Sequence, residues 1–212
     1  LPHILGHAMS LLKSENTDEV VKALKNLISS FSAETRQFAR GLFERLLEAF
    51  WSLSEGLGEE NEDENDDIET IERSDLIESI ESCLLALCQI LYSDIDPSDY
   101  LILQPSVLNL LGNCLTQKKF RCIFDKVLQL FVALLARVPT VDQDILFFFA
   151  PIAYTLLGPP KQSTQLVQTN LQESQLSILK ASAQFDHGVA FIEYYLGFFG
   201  NFIKKSPSYF LQ

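Results

Sequence analysis

Apolar residues recur at steps of three and four along most of the 212-residue chain, the spacing that gives a helix one oily side. Asn16 with Glu19 three residues on predicts a capped helix from Thr17 to about Phe31, carrying Val20, Val21, Leu24, Leu27 and Ile28. Ser32 then caps a longer helix through Leu53, with Phe38, Leu42, Phe43, Leu46, Leu47, Phe50 and Trp51 on its apolar side. Only a short turn separates these two helices, so they are expected to pack antiparallel. Asp75 with Glu78 opens a third helix to about Tyr92, striped by Leu76, Ile77, Ile80, Leu84, Leu87, Cys88 and Leu91. Asp96-Pro97 is a cap followed by proline at the first helical position, and starts a helix ending near Leu115, bent or interrupted at Pro105. Phe120 to Arg137 repeats its apolar residues for four turns. Thr140 with Gln143 forms a capping box for a helix from Val141 to Leu157, which Gly158-Pro159-Pro160 stops. A final aromatic helix runs from Asp186 to Lys205, followed by Pro207. No run alternates with the period of two that a strand requires.

The interval between helix pairs selects among helical architectures. Pairs headed near Asp75 and Lys119 lie about 44 residues apart, within the range of HEAT and armadillo units and above those of tetratricopeptide and ankyrin units. The pair headed at Thr17 fits the same interval once the acidic segment before Asp75 is set aside. The expected fold is therefore all-α, a HEAT-repeat superhelix (solenoid). Residues 1–212 form one segment of it, with an acidic disordered insertion at 55–73 and a polar insertion at 159–184. Within the second insertion, Ser174 to Ala183 is the one stretch with helical character.

Charge sharpens this picture. The formal net charge is −12, and ten acidic residues with no basic one lie between Glu55 and Glu72, so the remainder carries −12 − (−10) = −2. Acidity thus belongs to one segment of a nearly neutral body. Nucleic-acid phosphates need a concentrated basic face, so direct binding to them is not expected, and basic proteins are the natural partners. The segment reads either as a solvated insertion that keeps an apolar stack soluble, or as an electrostatic lure for Lys/Arg-rich cargo. On the second reading the cargo-binding residues are Glu59, Glu60, Glu62, Asp63, Glu64, Asp66 and Asp67.

Other chemistry is thinly represented. Cys83, Cys88, Cys114 and Cys122 sit among apolar helical residues, without CxxC spacing, and read as small buried hydrophobes in a reducing compartment. His3 and His7 share a helix face at a four-residue spacing but lack the HExxH glutamate and a third ligand. Asp186 beside His187 reads as a helix cap, with a pH-sensitive pair as its alternative. No glycine-rich phosphate loop occurs, and three histidines leave little from which to build a nucleophile–base pair. A terpenoid-synthase-like helical enzyme needs Asp clusters on facing helices, whereas the Asp-rich cluster here lies in a predicted loop. No enzyme activity, metal or cofactor is expected. The aromatic groups Phe147–Phe149, Tyr194-Tyr195 and Phe198-Phe199 read as core packing, or as an exposed groove for partner side chains. The most apolar run, Ile145 to Leu157, is too short to cross a bilayer and contains Pro151, so no membrane insertion is expected. The start at Leu1-Pro2-His3, without Met or a basic leader, suggests a cut inside a longer chain.

The order of these features resembles the importin-beta superfamily of nuclear transport receptors (karyopherins), in particular the carboxy-terminal HEAT repeats of the importin-seven/importin-eight branch. The residues that carry the resemblance are the acidic loop from Glu59 to Asp67, the helix Ser74-Asp75-Leu76-Ile77-Glu78-Ser79-Ile80, the Phe124-Asp125-Lys126-Val127-Leu128 helix and the Phe185-Asp186 helix start. Helix order and spacing match from about residue 1 to the end, with 161–184 as an insertion foreign to the family pattern. The resemblance implies a parent protein that shuttles between cytoplasm and nucleus, holds protein cargo, contacts Phe-Gly nucleoporins and releases cargo to Ran-GTP. It implies that this segment is part of the cargo-holding arch, since the family's Ran contacts lie chiefly in amino-terminal repeats. A HEAT-repeat scaffold or adaptor subunit of a multiprotein complex is the alternative.

Overall fold

The computed structural model describes residues 2–11, 17–58, 67–93, 95–157 and 192–210. All regular structure among them is helical, with no strand. The helices are α1 (Pro2–Leu11), α2 (Thr17–Ser30), α3 (Ser32–Thr35), α4 (Ala39–Glu55), α5 (Asp67–Tyr92), α6 (Pro97–Thr116), α7 (Phe124–Arg137), α8 (Gln143–Phe147), α9 (Phe149–Leu157), α10 (Ile192–Lys205) and α11 (Pro207–Phe210). Single 3-10 segments lie at Arg36–Phe38 and Lys118–Ile123. The chain divides into two compact units, Leu1–Pro105 and Ser106–Gln212.

In the first unit α5 packs against both α2 and α4. A helix covered from two sides must be apolar on more than one face, and α5 is: Ile80, Cys83, Leu84, Ala86, Leu87, Cys88, Ile90 and Leu91 are all buried. Opposite it, α2 contributes Val21, Leu24 and Ile28, and α4 contributes Leu42, Phe43, Leu46 and Phe50. Lys22 and Glu78 join α2 to α5 at 2.8 Å across the exposed rim, a contact that solvent weakens.

Three expectations change here. The helix expected from Ser32 to Leu53 is broken by the 3-10 turn at Arg36–Phe38, and Phe31, which makes no side-chain cap bond, takes the cap position expected of Ser32. Ala33, Glu34, Arg36 and Gln37 are all exposed, so no buried stripe enforces a continuous helix before Ala39. Helix α5 starts at Asp67 and not Asp75, while α4 runs through Glu55, so both ends of the interval 55–73 are helical. A helix amino terminus tolerates acidic residues because its partial charge is positive. Residues 59–66 lie outside the described residues. Pro105 does not interrupt α6: it and Leu101, whose carbonyl loses a partner to the proline, are both exposed, where water can serve that carbonyl.

In the second unit α7 buries Phe124, Val127, Leu128, Leu130, Phe131, Leu134 and Leu135. The expected start at Phe120 is a 3-10 segment instead. Phe120 and Ile123, three apart, both point inward there, as the three-residue turn of that helix allows. The capping box at Thr140 is replaced by Asp142, whose Oδ1 accepts from the Ile145 N–H at 2.9 Å. The single helix expected to Leu157 is broken at Phe148, because Pro151 has no N–H to give the Phe147 carbonyl. The short helices α8 and α9 result.

Helix α10 packs on α7. A Cβ at Gly197 would lie 3.0 Å from Val132, Phe198 and Phe202 have ring centroids 6.3 and 6.4 Å from that of Phe131, and Lys205 reaches Leu135 and Val138. Contacts advance in the same sense along both helices, so α7 and α10 run parallel. Phe149 of α9 also meets α10, stacked on Phe198 at 5.6 Å and edge-on to Phe202 at 4.9 Å. In the first unit α5 thus lies on both α2 and α4, and in the second α10 lies on α7 and meets α9 through Phe149, the first residue of that helix.

Candidate functional site

Of the seven acidic residues expected to hold cargo, Asp67 opens α5, and Glu59, Glu60, Glu62, Asp63, Glu64 and Asp66 lie outside the described residues. The segment leaves from a well-tied end. Past α4, Gly56 N–H donates to Leu53 O at 3.0 Å, Leu57 N–H to Ser54 O at 3.3 Å, and Leu57 is buried. The acidic run therefore spans from the end of α4 to the start of α5.

The same unit holds a solvent-open hollow of about 460 Å³ between the turn after α3 and the start of α6, lined by Ala33, Arg36, Gln37, Asp96 and Asp99. Asp96 is fixed by its role as the α6 cap: Oδ1 accepts from Ser98 N–H at 3.0 Å and from Ser98 Oγ–H at 2.7 Å. These two bonds, with the Arg36 charge, hold its carboxyl below the usual 3.8. The hollow thus presents carboxylates, an amide and a guanidinium, a set suited to polar side chains. Asp96 is legible in the sequence as a cap, whereas its proximity to Arg36, sixty residues earlier, is not. No local pattern marks that pairing.

On the next turns of α6, Leu101 is 54% exposed and Ile102 45% exposed, beside the exposed Pro105. The aromatic groups of the second unit resolve toward core: Phe148 and Phe198 are buried, and Phe147, Phe149 and Phe199 are half-buried. Tyr194 and Tyr195 fall on α10, their side chains outside the described set. The thiols of Cys83, Cys88 and Cys114 are buried and that of Cys122 is half-buried, all unbridged. Burial pushes Cys83 up to about 12 and raises Cys114 further. Neither is a nucleophile near neutral pH.

His3 and His7 are both exposed on α1. No group of three or more His, Cys, Asp or Glu suited to a metal occurs among the described residues. Asp186 and His187 lie outside those residues, as does the segment 158–191 that includes the whole of the expected polar insertion. Among the described residues no helix is long and apolar enough to cross a membrane. No family model matches this sequence, and no curated protein or solved structure matches it.

Proposed function

We propose that the chain is a protein-binding segment of a nuclear import receptor, a stretch of HEAT-type solenoid that holds basic cargo and performs no catalysis itself. The observation that carries the stacking part is a helix lying along an earlier helix of its own unit in both cases, α5 on α2 and α4 and α10 on α7, with Phe149 of α9 also against α10. Parallel α7 and α10, with α8 and α9 between them in the chain, match the register of equivalent helices in successive repeats. The cargo part rests on the −10 charge between Glu55 and Glu72 beside a body of −2, and on the resemblance in helix order to importin-beta receptors. On this reading the parent shuttles between cytoplasm and nucleus, and its Phe-Gly nucleoporin and Ran-GTP contacts belong to the whole receptor.

The test is binding of a Lys/Arg-rich peptide to the whole chain and to a chain lacking residues 59–66, at low and at high salt. Charges that meet in solvent are screened over about 8 Å at physiological ionic strength, so attraction by the acidic run weakens with salt. The intact chain is expected to bind at least about tenfold tighter at low salt, and deletion is expected to remove that advantage. Equal affinities for both chains at both salts would end the cargo-lure reading and leave the scaffold or adaptor alternative.

A further inference from the structure

Helix α7 ends because of a proline, and the end is incomplete. In an α-helix the Leu135 carbonyl would accept from the N–H of residue 139, but that residue is Pro139 and has none. Proline also drives the residue before it out of the helical region, and Val138 is extended accordingly, with φ −58° and ψ 139°. Its own N–H still serves Leu134 O at 2.9 Å, while the Leu135 and Val138 carbonyls are left without the next turn.

Both receive the Nζ of Lys205, from the last turn of α10 and 70 and 67 residues further along the chain. The amine is half-buried there. The charged groups described around it are Arg137 at the end of α7 and Lys204 on its own helix, both exposed cations. Burial, then these two neighbours, lower its pKa from the ordinary 10.5. Loss of the proton does not undo the contact, since a neutral amine keeps two N–H donors for two carbonyls.

We propose that Lys205 is a latch for α10, its amine satisfying the carbonyls that Pro139 leaves open on α7, and that N-acylation of this amine by a thioester-type acyl donor releases it. In the acyl transfer the amine nitrogen attacks the thioester carbonyl carbon. The N–C bond forms as the C–S bond breaks, and the amine proton leaves with the thiol. The product amide has one N–H and added bulk, which cannot serve two carbonyls at once. Acylation therefore requires the latch to open first and then prevents its closing.

The experiment is hydrogen exchange of the full chain in four forms: unaltered, Lys205→Gln, which removes the charge and is one atom too short to reach both carbonyls, Lys205→Arg, and Lys204→Gln. Lys205→Gln is expected to speed exchange over the last turn of α10 by at least about tenfold, the effect of losing a charge-assisted hydrogen bond. Lys205→Arg keeps several donors and is expected to stay near the unaltered rate, as is Lys204→Gln. Unchanged exchange in Lys205→Gln, or the same acceleration in Lys204→Gln, overturns the latch. Should Lys205→Gln fail to fold, acetyl N-hydroxysuccinimide labelling of the unaltered chain decides. Lys205 is expected to label at least about tenfold more slowly than exposed Lys204, and equal rates overturn the proposal.

Discussion

Asp96 shows how much one side chain contributes through its neighbours. Its Oδ1 closes the first turn of α6 through two contacts to Ser98, and Arg36 favours its charged form. With a folded-state pKa below 3.8, the carboxylate stabilises fully above that value, and the contribution is lost as pH falls through the lower folded-state value. Asp96→Asn is still a competent cap but lacks the charge. Denaturant titrations of the two chains should differ near neutral pH and converge in acid below pH 3.8, and a pH-independent gap would contradict the charge's role. The cysteines make a second prediction. With Cys83 at about 12 and buried, and Cys114 raised further, an alkylating reagent at pH 8 should label half-buried Cys122 first and the other two only after unfolding.

Helix ends separate what a sequence can announce from what it cannot. Asp96-Pro97 is correctly read as a start because cap and proline act within one turn. Thr140 and Asp142 are both cap-type residues two positions apart, and only the bond from Ile145 N–H tells which one acts. Phe120 and Ile123 fit an α-helix and a 3-10 helix equally, so their three-residue step could not place the start of α7. Pro151 was visible, but the apolar run around it suggested continuity that the missing N–H denies. The joint between α5 and α6 was legible as a turn and not as a bonded unit. Buried Tyr100 donates its hydroxyl to Leu91 O and Ser93 O at 3.3 and 3.2 Å, tying the end of α5 to the first turn of α6. Tyr100→Phe keeps the ring and removes both bonds, leaving Ser93 O with the Ile95 N–H, at an expected cost of about 1–2 kcal/mol. The midpoint of urea unfolding measures it, and an unchanged midpoint would mean the hydroxyl contributes nothing net.

At the scale of the molecule, the all-helical class was legible because period and length agree along the chain. The hollow at Arg36 and Asp96 was not, since it depends on residues brought together from distant positions. The same holds for α5, where burial on several sides reflects two partners at once.

The gap that Pro139 leaves in α7 and Lys205 fills also orders events during synthesis. A ribosome delivers Leu135 long before it delivers the lysine that completes its bonding, so α7 emerges with a ragged end that only the arrival of α10 can mend. Any product terminated ahead of α10 keeps that defect, together with a bare Phe131 side where Phe198 and Phe202 would rest. Prematurely ended chains should therefore be the ones that quality-control proteases recognise, by an unsealed helix and the oily surface beside it.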